Sequence, residues 1–116
     1  ERCGAWATSP AWSEGVSEEP VVWIGVLTFD VLTPGARSLK EKRSLVRPIV
    51  ERARSRFEVS VARLDGLDRL DRETLGVSVL SSDPEVCRRL LERAHDFAAS
   101  FGLRLEGTRL EVERWS

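Results

Sequence analysis

From Val22 to Leu32 the side chains are largely β-branched or aromatic and their polarity alternates, which predicts a strand. Leu27, Phe29 and Val31 fall on one face, and Ile24, Val26, Thr28 and Asp30 on the other. Thr33-Pro34-Gly35 closes the strand as a turn. The period then changes to that of a helix. Ser38 and Glu41 form an S-x-x-E capping box, and Leu39, Leu45, Val46, Ile49, Val50, Ala53 and Phe57 follow as one apolar stripe. Pro48 lies inside that stripe, removes one N–H and crowds the carbonyl of Ser44, so a kink is expected there. Glu58 to Leu64 and Glu73 to Ser81 read as an antiparallel hairpin across a charged loop, Asp65 to Arg72. In the second of these strands Leu75, Val77 and Val79 share a face, opposite Thr74, Gly76 and Ser78. Asp83-Pro84-Glu85 opens a second helix with a cap, a proline in the first turn and an acid. Its stripe is Val86, Leu90, Ala94, Phe97 and Phe101, and Gly102 stops it. Leu103 to Trp115 is the fourth strand. Its apolar parity shifts between Leu105 and Leu110, which places a bulge near Gly107.

Two helices with one apolar side each and four alternating strands pack economically in one way. Both helices cover one face of a four-stranded antiparallel sheet, in the ferredoxin-like βαββαβ topology of the α+β class. The other sheet face then carries Ile24, Val26 and Leu80 among polar residues, a patch suited to the N-terminal tail or to another subunit. The patterned segment spans residues 21–116. Residues 1–20 show no period, are acidic, and carry Trp6 and Trp12. They read as an irregular extension: a flexible tail, a misassigned start or a partner-binding peptide.

Composition changes this picture little. A chain of 116 residues with 41% hydrophobic and 32% charged residues supports one core in one domain. The longest apolar run, Val21 to Leu27, is too short to span a bilayer, and no signal-peptide pattern opens the chain, so a cytoplasmic protein without a membrane partner is expected. Asn, Gln, Met and Tyr are missing altogether, and Arg far outnumbers Lys. A hot environment and a GC-rich genome would each produce that bias. Cys3 and Cys87 form no close pair, and Cys87 reads as a small hydrophobe inside the second helix.

Most chemistries known on this topology lack their residues here. Two distant cysteines cannot hold an iron–sulfur cluster, and no Cys-x-x-Cys loop is present. An acylphosphatase-like site needs an Asn, which the chain lacks. The strand Leu75 to Leu80 has no aromatic on which to stack RNA bases. His95, the single histidine, sits off the apolar stripe beside Asp96 and reads as a surface residue rather than a general base. Asp65, Asp68 and Asp71 alternate with Arg69 and Arg72, which suits an ion-pair network better than a calcium loop. No catalytic residue, metal ligand or cofactor is therefore assigned. What remains is charge. From Arg37 to Arg56 eight Lys or Arg stand against two Glu, while the whole chain carries a net charge of −1. Lys40, Arg43, Arg47 and Arg54 share one face by helical spacing, and Arg37 precedes the cap. A phosphate-binding set of Arg37, Lys40, Lys42, Arg43 and Arg47 is expected, with Lys42 nearer the buried side. An ordinary solvated face of an Arg-rich helix is the competing reading.

The run Pro34-Gly35-Ala36-Arg37-Ser38-Leu39-Lys40-Glu41-Lys42-Arg43 resembles the YlxP-like family, small bacterial proteins of unknown function. The Thr74 to Val79 strand, followed by Ser82-Asp83 before a helix, matches as well. The resemblance spans about Val22 to Trp115. Leu70-Asp71 stand where members typically carry a Trp-Gln pair, and the N-terminal tail is not a family feature. The resemblance implies a ferredoxin-like fold. In some bacteria members are encoded beside translation-initiation and ribosome-maturation genes, which implies an RNA- or ribosome-associated role; with no catalytic constellation in the sequence, a non-enzymatic binding protein is expected. A module that dimerises or binds a protein through the open sheet face is the alternative.

Overall fold

A computed structural model describes residues 20–116. The elements are β1 (Trp23–Leu32), α1 (Leu39–Arg56), β2 (Ser60–Asp65), β3 (Arg72–Ser81), α2 (Pro84–Ala99) and β4 (Leu105–Arg114). The strands form one antiparallel sheet in the order β2-β3-β1-β4. Both helices pack on the same face, which makes this the ferredoxin-like α+β fold expected from the pattern. The expectations for the N-terminal extension, Trp6, Trp12 and Cys3 fall outside the described residues.

Alternation places Leu27, Phe29 and Val31 of β1 in the core with Leu75, Val77 and Val79 of β3. Each fully buried side chain of this size stabilises the fold by about 2 kcal/mol. The bulge lies where parity predicts it. Thr28 pairs with Arg109 and Asp30 with Glu106, so Gly107 and Thr108 together oppose Phe29. Gly107 takes φ +64, in the left-handed region where a Cβ is costly.

Helix α1 runs unbroken through Pro48. Its buried residues are Lys42, Val46, Ile49, Val50 and Ala53. Leu39 and Leu45, expected in the stripe, are each 38% exposed. The stripe instead reaches the helix start through Lys42, four residues before Val46. A similar rotation occurs in α2. Cys87, Leu91, Ala94 and Ala98 are buried, whereas Val86, Leu90, Phe97 and Phe101 are half-buried. The reason is close approach. A Cβ on Gly25 of β1 would stand 2.7 Å from Leu91 Cδ1 and 3.2 Å from Cys87 Cβ. The sheet-facing line of α2 is therefore mostly small. The bulky rings move aside into the seam with α1, where Phe97 meets Phe57 and Phe101 edge-on at 5.6 and 5.3 Å. Cys87 is a free thiol in that seat, and burial pushes it above the ordinary thiol range, with the Asp83 charge adding to the effect.

Candidate functional site

The start of α1 is built by local hydrogen bonds. Ser38, extended at φ −152 and ψ 161, accepts from the Glu41 N–H at 3.0 Å. Glu41 Oε1 in turn accepts from the Arg37 N–H at 3.1 Å, one residue before the cap. The capping box thus fixes the turn as well as the helix. Because a carboxylate already occupies this end, an anion here would be met by side chains rather than by helix amides.

Lys42 is the one expected site residue that the fold takes away from the surface. It is 1% exposed, and its Nζ lies 3.1 Å from Glu73 Oε1. The same ammonium donates to the carbonyls of Gly66, at 2.7 Å, and Leu67, at 3.3 Å. Glu73, itself fully buried, also accepts from Arg63 through Nε and, at 2.9 Å, through Nη2. Burial pushes the Glu73 carboxyl up. Hydrogen bonds from Arg63 and Lys42 and their charges more than offset this, so it sits below the ordinary carboxylate range. The Glu73 hydrogen bond raises Arg63 correspondingly. A buried ammonium is tolerated only with such partners, so Lys42 has no donor left over for phosphate. It serves to clamp the β2–β3 loop against α1. Thr33 completes the clamp: its Oγ1 donates to Leu70 O and its N–H to Asp71 O, both at 2.8 Å.

The remaining basic residues of the segment divide in two. Arg54 donates to Val61 O at 2.7 Å. The Arg52 guanidinium lies 5.7 Å from the Phe101 ring centre, and that of Arg56 5.2 Å from Phe97 and 5.8 Å from Phe57. Arg47 forms a loose exposed pair with Glu51 at 3.6 Å. Arg37, Lys40 and Arg43 are exposed, and their side chains make no hydrogen bond or ion pair among the described residues. They follow one another at spacings of three, so they rise along one side of the first turns. Leu39, Leu45, Leu67 and Leu70 are also exposed around this end of the molecule.

Elsewhere the candidates resolve into structure. His95 is half-buried rather than solvated. Its ring meets Phe29 edge-on at 5.5 Å, and Nε2 lies 3.0 Å from Thr108 Oγ1, so it wedges α2 against the bulge. Asp71 pairs with Arg69 at 2.9 Å, which draws its carboxyl down, and Asp65 caps the Gly66 N–H. Arg72 leaves the loop network for Asp30, at 3.0 Å, and Thr74 donates to the same carboxylate at 2.6 Å. Among the described residues no group of His, Cys, Asp and Glu could hold a metal ion, and no helix is long and apolar enough to cross a membrane. The residue that sequence reasoning passed over is Glu73. It shares parity with Leu75, Val77 and Val79, and that signal alone places it on the core face.

Residues 24–112 match the family model described as "Protein of unknown function (DUF503)". The chain is 31% identical over 78 residues to the uncharacterised protein YlxP of Bacillus subtilis (strain 168), covering 67% of this chain and 85% of that protein. Among solved structures it is similar to the de novo designed protein Foldit4, at 20% identity and a TM-score of 0.42 over 79% of this chain and 94% of that one. A C-terminal segment of the alpha subunit of aIF2 from Pyrococcus abyssi is similar at 15% identity and a TM-score of 0.43, over 87% of this chain and 54% of that one.

Proposed function

Starting from the fact that the chain belongs to the DUF503 family of proteins of unknown function, we propose that it is an RNA-binding protein that grips phosphates with the start of α1. Ribosomal RNA is one source of such phosphates. One observation carries the reading. Of the eight cations between Arg37 and Arg56, those with no side-chain partner among the described residues are the consecutive surface set Arg37, Lys40 and Arg43. Arg47 extends the set by one turn, since an exposed pair with Glu51 is worth little and yields readily to phosphate. Lys42 drops out of the set, and holds the neighbouring loop in place instead. The open faces of β1 and β3 carry no aromatic side chain on which bases could stack, so affinity rests on charge and sequence preference is low.

The test is fluorescence polarisation with a mixed-sequence single-stranded RNA oligonucleotide across a salt series. Four phosphate contacts give a log–log slope of about −3. Lys40→Glu with Arg43→Glu should cut affinity about a hundredfold and flatten that slope, with an unchanged circular dichroism melt. Unchanged affinity in the double variant, or binding indifferent to salt, would remove α1 as the site.

A further inference from the structure

The sheet face opposite the helices carries apolar side chains that stay partly exposed. Val26 on β1 is 43% exposed, Leu64 on β2 53% and Leu80 on β3 68%. Leu80 is the register partner of Ile24 and stands proud on one side of β1. On the other side, between β1 and β4, lies a groove of about 390 Å³ lined by Ile24, Val26, Thr28, Arg109, Glu111 and Glu113. Knob and groove thus sit at the same level along the strands and on opposite flanks of β1.

We propose that this face is the contact between two copies of the chain, with Leu80 of each copy seated in the β1–β4 groove of the other. A two-fold axis running along β1 exchanges the positions of β3 and β4, which brings each knob over the opposite groove at the level of Ile24. Such an isologous contact requires a patch that complements itself, and knob beside groove meets that requirement. Charge also favours a second copy over a nucleic acid. The cations on this face are matched by acids of the same face, Arg72 by Asp30 at 3.0 Å and Arg109 by Glu111 at 2.6 Å. The area lies near the low end for a specific interface, about 600 Å² per partner, which suits a dimer that dissociates on dilution. Three ten-residue strands of roughly 33 Å and the six-residue β2 of roughly 20 Å, abreast at about 4.8 Å, give a projected face of about 570 Å² before side-chain relief. A standard interface buries about 800 Å² per partner. Stacked sheets of this kind leave all four helices outside, so both α1 faces stay open to solvent. The inference does not depend on what α1 binds.

Sedimentation velocity of the full chain over a wide concentration range is the experiment. The unaltered chain should form a dimer that dissociates on dilution. Leu80→Glu places a carboxylate in the groove twice per dimer, and should raise the dissociation constant about a hundredfold. Val26→Glu, on the neighbouring strand, should act in the same direction. Both positions are exposed, so circular dichroism melts should match the unaltered chain. A chain monomeric at every concentration, or a Leu80→Glu variant that dimerises undiminished, overturns the proposal. The face would then belong to another segment of the chain or to a different protein.

Discussion

Lys42 and Lys40 are two residues apart and chemically identical, yet one is structural and the other faces solvent. The difference follows from phase along α1. Lys42 falls in line with Val46, Ile49 and Ala53, so its amine meets the interior and must find Glu73 there. Breaking a buried pair strands the other charge, and Lys42→Ala should cost about 3 kcal/mol in urea unfolding. Lys40→Ala should stay within about 0.5 kcal/mol of the unaltered chain. Acid should act through Glu73. A carboxyl held below its ordinary range binds its proton more readily in the unfolded chain than in the native one. Its contribution is complete above the unfolded value, and is lost as pH falls through the folded one. Urea midpoints should therefore fall on acidification in the unaltered chain and fall less steeply in Glu73→Gln. Sequence spacing already leaned Lys42 inward. What it lacked was the acid, whose parity was legible but which lies 31 residues beyond Lys42.

At the scale of elements, the seat of α2 on β1 depends on a missing side chain. Gly25→Ala would force Leu91 and Cys87 outward, and overpacking of this kind costs about 1–3 kcal/mol, readable as a lower melting temperature. The same closeness explains why a stripe drawn through the largest apolar residues of α2 is turned from the true one. Hydrophobicity ranks Phe97 and Phe101 highest, but contact distance admits Cys87, Ala94 and Ala98. Caps, proline and glycine stops were legible because they act within four residues. Ser38, Asp83 and Gly102, at φ +86, all stand where the sequence puts them.

For the whole molecule, the two proposed surfaces lie on opposite sides of one sheet. The basic turns of α1 belong to the helical layer, and Leu80 and Val26 to the bare face. Sites so placed share no partners, so their effects should add. The variant combining Lys40→Glu, Arg43→Glu and Leu80→Glu should show the RNA loss of the first pair and the dimer loss of the third, neither enhanced. A short RNA that engages one copy at a time is the appropriate probe, since two linked sites would add avidity. The chain as a whole is slightly acidic, with an isoelectric point near 5.9, so attraction to phosphate is a property of this one surface.

The sequence by itself determined the element order, the caps, the bulge at Gly107, the core faces of β1 and β3 and the concentration of charge in α1. Each is written in residues close together, where period and backbone chemistry act directly. The tertiary structure decided how far each helix is turned about its axis, and so which cations reach water. That depends on distances between segments far apart in the chain: Lys42 to Glu73, Leu91 to Gly25. A segment of eight cations becomes a surface of three or four only when the rest of the fold has claimed the others.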